Sequence, residues 1–343
     1  MLVAGIAWSA QGFEVAVLDA RGAAEAAVIR FPAGSVRALT EHLVALDAAS
    51  AGLVCVVDST NGMIDGGLMA AGLRVHRADP WTLPPRPGLG SVDAVTLARA
   101  GVTRLHELTR LVLEGGSLTG RSDELVRHLQ QSEPTLAALT AAGGCLAHGP
   151  REEKLVALTF DDGPHPPYTG RVLDVLDRYG VPATFFCVGL HASGHPDEVA
   201  RIAASGHRLA NHTWSHPFLP DLSVAELSAQ LERTDEAIEE VAGRPARRLF
   251  RPPYGSRTAE LLSWVGGDGD RTVVLWDVEA ADWSMPGADA IAGTVLHQVR
   301  PGSIVLLHDG GGDRSQTAEA LPAIVEGLLA QDYRFVVVDE LAG

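Results

Sequence analysis

The chain reads LTFDDGP over residues 158–164, an apolar run that ends in two adjacent aspartates and a Gly-Pro turn. Within a strand, neighbouring side chains point to opposite faces, so Asp161 and Asp162 could not converge there. Where the chain bends at the end of a strand, both can face one cleft, and such strand ends carry the catalytic groups of α/β barrels. Two carboxylates there could divide the work, one holding a metal and the other moving a proton. Taken alone, the motif is also typical of a plain Asp-Gly-Pro turn that caps a strand.

The motif opens a region in which apolar, strand-like runs alternate with amphipathic helical patterns. The predicted strands are 155–160, 183–188, 207–210, 248–250, 272–278, 303–307 and 333–338. The predicted helices are 169–179, 197–204, 223–241, 256–265, 288–299 and 316–329. Strict alternation with continuous apolar strands predicts a parallel sheet covered by helices. Seven such strands indicate an incomplete barrel.

Two histidines follow the third of these strands in an H-x3-H pattern. The rings of His212 and His216 meet if the segment between them makes one helical turn. Together with Asp162 they form a set of two imidazoles and one carboxylate. Such a set leaves coordination positions open for water and substrate, as a catalytic zinc or similar ion requires. The sequence therefore predicts a metal site at this edge of the sheet.

Further polar clusters follow the fourth, fifth and sixth predicted strands. They are RPPYG at 251–255, Asp277 with the later pair Asp282-Trp283, and LLHD at 306–309 before three glycines. Each cluster alone has a plain structural explanation, such as a solvated arginine in a surface turn. Five clusters at the same ends of successive strands are poorly explained by coincidence, because barrel enzymes build their active sites there.

In this order, the five motifs resemble those of the polysaccharide deacetylases with a NodB-homology domain, carbohydrate esterase family four. The resemblance covers about residues 150–343. It implies a distorted (β/α)7 barrel and metal-dependent removal of acetyl groups from N-acetylated sugars of the chitooligosaccharide or peptidoglycan type. The implied cofactor is one divalent ion, with Zn²⁺ expected and Co²⁺, Ni²⁺ or Mn²⁺ as alternatives.

The same resemblance assigns roles around the metal. Asp162, His212 and His216 would hold the ion, which lowers the pKa of bound water and polarises the acetyl carbonyl. Asp161 would be the general base that takes the proton of the water. Arg251 resembles the arginine that orients this base by ion pairing and keeps it ionised.

The remaining roles belong to the leaving group and the oxyanion. His308 would protonate the leaving amine, because an amide nitrogen leaves badly unless it is protonated. Asp282 resembles the aspartate that orients this histidine and raises its pKa. The backbone N–H of Tyr254 is the expected donor to the oxyanion. Trp283 and Leu306 resemble the walls that enclose the acetyl methyl group.

The first part of the chain predicts a separate α/β domain with the element order βββαβαβ. Predicted strands are 2–8, 13–18, 27–31, 53–58 and 73–76; predicted helices are 35–46, a stretch ending at 71, 92–100, 103–113 and 122–142. Gly143-Gly144 and Gly149-Pro150 mark the expected boundary. The predicted domains are 1–145 and 150–343.

This order is that of an RNase H-like fold, and GIAWS at 5–9, VVDST at 56–60 and SVDA at 91–94 resemble RuvC-like insertion-sequence transposases. In that family, four acidic residues hold two Mg²⁺ ions. Here Ala7 and Gly90 occupy the first and third positions, which leaves Asp58 and Asp93. Half of the cage is too little for two hard cations. We therefore expect a domain that has lost nuclease chemistry and serves scaffolding, dimerisation or substrate presentation.

Composition narrows the range of partners. The 343 residues carry a formal net charge of −16, which repels phosphate backbones and anionic lipid heads. We expect a carbohydrate partner, no nucleic acid and no membrane span, with a homodimer through the N-terminal domain as an open alternative. The first residues lack the basic region of a signal peptide, so the chain as written is expected in the cytoplasm.

Two other functions stay open at this point. A related amidohydrolase acting on a non-sugar amide or a cyclic imide would share the same catalytic groups, since specificity resides in loops. A nucleic-acid-associated protein would instead rely on the transposase-like domain. The five intact motifs favour the first two functions, sugar deacetylation and amide hydrolysis, over the third.

Overall fold

The computed structural model describes residues 1–19, 27–50, 52–112, 121–243, 248–267 and 270–341. Contacts divide the chain into two compact units. The first unit contains Met1–Arg127 and Ser215–Gln230, and the second contains His128–Trp214 and Leu231–Gly343. None of the helices in the described part combines the length and apolar character needed to cross a bilayer.

The first unit is built on a six-stranded mixed sheet. Its strands are β1 (Leu2–Ser9), β2 (Gly12–Asp19), β3 (Val28–Pro32), β4 (Leu53–Asp58), β5 (Arg74–Ala78) and β6 (Thr109–Arg110), in the spatial order β3-β2-β1-β4-β5-β6. β1, β2 and β3 form an antiparallel meander, whereas β1, β4 and β5 are parallel. Helices α1 (Val36–Ala49), α2 (Gly62–Ala70) and α3 (Ala94–Arg104) accompany them. The element order predicted from the sequence is confirmed, and the RNase H-like assignment stays a prediction.

The helix predicted over 103–113 is wrong. α3 ends at Arg104, a 3-10 turn covers Leu105–Glu107, and the chain then forms the short strand β6. β6 pairs antiparallel with β5, and Leu111 N–H donates to Val75 O at 2.9 Å. Residues 109–111 thus make their backbone hydrogen bonds to the edge strand β5 instead of to a continued helix. Residue 113 of the predicted helix lies outside the described residues.

The second unit is a curled parallel sheet covered by helices, as the sequence predicts. Its strands are β7 (Cys145–Leu146), β8 (Leu155–Asp161), β9 (Thr184–Cys187), β10 (Arg208–Asn211), β11 (Leu249–Phe250), β12 (Thr272–Val274), β13 (Val278–Glu279), β14 (Ser303–His308) and β15 (Arg334–Phe335). The order is β13-β14-β8-β9-β10-β11-β12-β7, and β15 pairs with β8. The helices in this region of the chain are α4 (Ser122–Ala141), α5 (Tyr168–Tyr179), α6 (Gly189–Gly194), α7 (Pro196–Ala204), α8 (Val224–Ala242), α9 (Ala259–Gly266), α10 (Ala288–Gln298) and α11 (Ser315–Leu329).

The strand predicted over 272–278 is two strands. β12 lies near one end of the sheet order and β13 at the other, so residues 275–277 change partners between them. Asp277 accepts hydrogen bonds from Ser303 Oγ at 3.0 Å and Ile304 N–H at 2.8 Å, at the beginning of β14. It also pairs with Arg151 at 2.8 Å. Asp277 therefore binds the amino-terminal end of β14. It does not join the cluster that was predicted at the carboxyl ends of the strands.

The compact units divide at a different place from the predicted boundary at 143–150. β7 belongs to the parallel sheet, because Cys145 is in register with Val273. The second half of α4 packs against α9 of the same unit. Leu139 of α4 approaches Gly266 of α9 so closely that a Cβ at Gly266 would lie 2.6 Å from Leu139 Cδ2. The residues between α4 and β8 are thus built into the second unit instead of linking two domains.

Alternation along β8 and β14 separates the core from the candidate site. One set of side chains packs in the core between sheet and helices: Val156, Leu158, Phe160, Val305 and Leu307. Because successive strand residues point to opposite faces, the intervening residues point to the other side of the sheet. That second set includes Thr159, Asp161, Leu306 and His308. The parallel register places His308 directly beside Asp161.

Candidate active site

The predicted metal ligands come together. Asp162, His212 and His216 form the one group of three such side chains found among the described residues, and each offers a ligand atom within 4.8 Å of the others. Asp162 directly follows β8 and has a left-handed φ of 74°. This bend turns its side chain away from the alternation of the strand, as the sequence argument requires.

The backbone between the two histidines differs from the predicted helical turn. β10 ends at Asn211, and Thr213 and His216 adopt left-handed φ values of 67° and 56°. Asn211 shapes this turn, because its side-chain oxygen accepts from Thr213 N–H at 2.8 Å. Its amide nitrogen donates to Leu231 O and to Asp235 Oδ1, both at 2.8 Å. The rings therefore meet through an irregular turn fixed by buried side-chain hydrogen bonds.

His212 has the tautomer that a metal ligand needs. Its Nδ1 lies 2.7 Å from Arg251 O, and a carbonyl oxygen can only accept. Nδ1 therefore carries the proton, and in the neutral ring Nε2 holds the lone pair, 3.5 Å from Asp162 Oδ1. Orientation of a ligating histidine through its second nitrogen is typical of metal sites. Two imidazoles and a carboxylate fit Zn²⁺ or a similar divalent ion.

Asp161 is held by a fully buried arginine. Nη1 of Arg251 donates to Asp161 Oδ1 at 2.7 Å and to Thr159 Oγ1 at 2.7 Å. Its remaining donors reach the carbonyls of Val274 and Leu275 at 3.3 and 3.2 Å. Burial lowers the pKa of Arg251, and the Asp161 carboxylate opposes that shift. The second oxygen of Asp161 lies 3.7 Å from Nε2 of His212, one of the three candidate metal ligands. The structure thus pairs Asp161 and Arg251 as predicted.

The partly exposed His308 pairs with the buried Asp282. His308 Nδ1 donates to Asp282 Oδ1 at 2.7 Å, and His308 N–H and Thr317 Oγ1 donate to Asp282 Oδ2 at 2.9 and 2.7 Å. Burial alone would lower the pKa of His308, but the Asp282 charge and hydrogen bond raise it to about 9. Burial alone would raise the pKa of Asp282, and His308 outweighs burial and lowers it. His308 is therefore an imidazolium at neutral pH, one strand away from Asp161.

The remaining predicted residues have different settings. Tyr254 lies in a 3-10 turn, Pro253–Gly255, with a left-handed φ of 59° that its surroundings must impose. Leu306 is buried on β14, in register with Thr159. Trp283 is 40% exposed beside the buried Asp282. The contact of these three residues with a substrate stays a prediction.

Two residues that support the site received no role from the sequence. Asp309 is buried; its N–H donates to Asp161 O at 3.0 Å, and it accepts from Thr169 Oγ1 at 2.6 Å. Burial first, and then the neighbouring carboxylates, raise its pKa to about 7. A Cβ at Gly163 would lie 2.1 Å from Asp309 Oδ2, so only glycine fits there. Thr159 was also missed, although its spacing of two from Asp161 places both on one face of β8.

Comparison with known proteins identifies the family. The model of the polysaccharide deacetylase family matches residues 148–267. A chitooligosaccharide deacetylase of Rhizobium leguminosarum bv. trifolii is 42% identical over 193 residues, which are 53% of this chain and 89% of that protein. The chain belongs to the polysaccharide deacetylase family.

Other polysaccharide deacetylases agree in sequence and in fold. A peptidoglycan-N-acetylglucosamine deacetylase of Bacillus cereus is 40% identical over 193 residues, covering 56% of this chain and 90% of that protein. A crystal structure of a peptidoglycan N-acetylglucosamine deacetylase has a TM-score of 0.57 and 36% identity, covering 60% of this chain and 95% of that one.

The family also contains a pseudoenzyme. This Bacillus anthracis protein has a TM-score of 0.54 and 30% identity, covering 58% of this chain and 69% of that one. Membership in the polysaccharide deacetylase family is therefore not enough to infer activity, and the residues of the site must also be present. In this chain, the three candidate metal ligands, the Asp161–Arg251 pair and the His308–Asp282 pair are all present.

Proposed function

We propose that this polysaccharide deacetylase is a metal-dependent hydrolase that removes N-acetyl groups from sugars of the chitooligosaccharide or peptidoglycan type. The observation that carries the proposal is the register of β8 and β14. In that register Asp161, paired with Arg251, lies beside His308, paired with Asp282. The candidate ligand atoms of Asp162, His212 and His216 lie within 4.8 Å of one another. The names of the similar proteins support an N-acetylated sugar as the substrate.

We infer that the ion is Zn²⁺, held by Asp162, His212 and His216. When bound there, it supplies a Lewis acid that polarises the acetyl carbonyl and lowers the pKa of water. Asp161 accepts the proton of the attacking water as general base. Arg251 holds the other carboxylate oxygen and orients the base.

His308 donates the proton that lets the sugar amine leave. Its pKa, raised to about 9, keeps the ring protonated until that step, and Asp282 fixes the ring through Nδ1. Nε2 is then the donating atom. The backbone N–H of Tyr254 is the proposed donor to the oxyanion. Leu306 and Trp283 are the proposed walls of the acetyl site.

Acetate release tests this function. Full-length protein is stripped of metal with a chelator and assayed with and without added Zn²⁺ on chitooligosaccharides, peptidoglycan fragments and simple amides. We expect acetate from at least one glycan, and only with the metal restored. Ring opening of a cyclic imide without acetate release from any glycan, or full turnover by metal-free protein, would contradict the proposal.

A further inference from the structure

The segment that carries the metal ligand His216 belongs to the first unit. Residues Ser215–Gln230 cluster with Met1–Arg127, although the family match includes them with the barrel. His216 is the second residue of this segment, which we call the His216 segment. The contacts that hold the His216 segment, described next, all lie within the first unit.

Arg121 is the main anchor of the segment. It is 4% exposed, and its two terminal nitrogens donate to both carboxylate oxygens of Asp221 at 2.7 Å. Its other side is held by Glu124, at 2.6 and 2.7 Å. The guanidinium carbon also lies 4.4 Å from the ring centre of Phe218. Because a planar guanidinium fixes a carboxylate in two places and stacks on a ring, Arg121 fixes two residues of the segment at once.

Three more hydrogen bonds hold the middle of the segment. Arg86 donates to Asp221 O at 2.8 Å and to Glu226 Oε1 at 3.3 Å. Phe218 N–H donates to Ser59 O at 3.2 Å, on the loop after β4. The backbone and the side chains of the segment are therefore both tied to the residues around the six-stranded sheet.

The ends of the segment are tied to each other beside the metal ligand. Gln230 accepts from Ser215 N–H and donates to Ser215 Oγ, both at 2.9 Å. The adjacent His216 has a left-handed φ of 56°. A non-glycine residue keeps this conformation only where its surroundings hold it. The position of the His216 ring thus depends on the contacts that hold Ser215, Phe218 and Asp221.

We propose that Arg121 and Asp221 are positioning residues for His216, the candidate metal ligand of the same unit. This inference rests on the proposed function, because it assumes that His216 binds the ion.

Metal affinity tests the proposal without an activity assay. Zn²⁺ is titrated into chelator-stripped full-length protein by calorimetry, for wild type, Asp221→Ala and Phe218→Leu. Removal of groups that orient a metal ligand typically weakens binding by about 10- to 100-fold, and we expect a loss of that order for Asp221→Ala. The absorption spectrum of the Co²⁺-loaded variants should also change, because one imidazole is displaced.

Ser223→Ala is the matched control. Ser223 caps α8 in the same segment through Glu226, at 2.8 Å, and the substitution leaves the Arg121 clamp in place. We expect unchanged Zn²⁺ affinity for this control. Circular dichroism checks that each variant is folded, and Phe218→Leu provides the test if Asp221→Ala is not.

Two results would overturn the role of Arg121 and Asp221. The first is wild-type Zn²⁺ affinity and an unchanged Co²⁺ spectrum in the folded variants. The second is an equal loss of affinity in Ser223→Ala, since that would indicate a general effect of destabilisation. A wild-type protein that binds no Zn²⁺ would instead overturn the proposed function together with this inference.

Discussion

Adjacent aspartates have different partners because the chain bends between them. Asp161 keeps the alternation of β8 and meets Arg251, whereas Asp162 has a φ of 74° and joins the two histidines. The residue types and the strand end were readable from the sequence. The left-handed bend was not, because it depends on the Gly163 turn that packs against Asp309.

The alkaline limb of the pH profile should depend on Asp282. Protonated His308 is the proposed acid, with a pKa raised to about 9, so activity is present below that pH and lost as pH rises through it. Asp282→Asn removes the charge that raises this pKa. Removal of an opposite charge typically shifts a pKa by about one to three units, so the alkaline limb of kcat should move to lower pH by that order.

Thr317→Val is the control for this shift. Thr317 donates to Asp282 Oδ2 at 2.7 Å, and its removal leaves the carboxylate charge in place. The limb should therefore move less than in Asp282→Asn. Superimposable kcat profiles for wild type and Asp282→Asn would exclude His308 as the acid that Asp282 tunes.

At the scale of the element, alternation explains which predictions held. β8 and β14 were predicted nearly to the residue, because a long apolar run bounded by turn residues leaves few alternatives. The prediction of one strand over 272–278 was wrong because apolar character does not reveal a change of partner strand. The prediction of a helical turn between His212 and His216 was wrong because Asn211 makes hydrogen bonds to residues distant in sequence.

Neighbouring leucines on β14 should have different roles. Leu307 packs in the core between sheet and helices, whereas Leu306 points to the face that carries His308. We expect Leu307→Ala to lower the free energy of unfolding by about 2–5 kcal/mol. Leu306→Ala should reduce kcat/KM for the acetylated sugar more than Leu307→Ala does. Denaturant unfolding and steady-state kinetics separate the two, and a larger kinetic loss in Leu307→Ala would contradict the assigned faces.

At the scale of the whole molecule, local hydrogen bonds involve both acidic side chains, Asp58 and Asp93, that the predicted RNase H-like resemblance would make metal ligands. Asp58 is buried and accepts from Thr60 N–H and Oγ1 at 2.9 and 2.6 Å. Asp93 caps α3 by accepting from Thr96 N–H and Oγ1 at 2.9 and 2.7 Å. These hydrogen bonds outweigh burial and lower the pKa of Asp93. A turn thus holds Oδ1 of Asp58, and a helix cap accounts for the Asp93 carboxylate.

Asp93→Ala should therefore affect stability. Loss of an aspartate N-cap typically costs about 1 kcal/mol, whereas asparagine caps nearly as well, so Asp93→Asn should stay close to wild type. Chemical denaturation followed by circular dichroism measures both variants. Equal losses for the two variants would contradict the capping role.

The wild-type protein should not cleave DNA or RNA when Mg²⁺ is added. The expected result is no cleavage above that of an Asp58→Asn preparation purified in parallel. Mg²⁺-dependent cleavage that the Asp58→Asn substitution abolishes would contradict the structural role of Asp58.

The most direct test of the account compares Asp161→Asn with His216→Ala in full-length protein, measuring bound zinc and acetate release on the same samples. Asp161→Asn should keep its zinc while kcat falls by about 10²- to 10⁴-fold, the usual contribution of a general base. His216→Ala should lose zinc and activity together. Near-wild-type acetate release by zinc-loaded Asp161→Asn would contradict the assignment of base and metal ligand to the two adjacent aspartates.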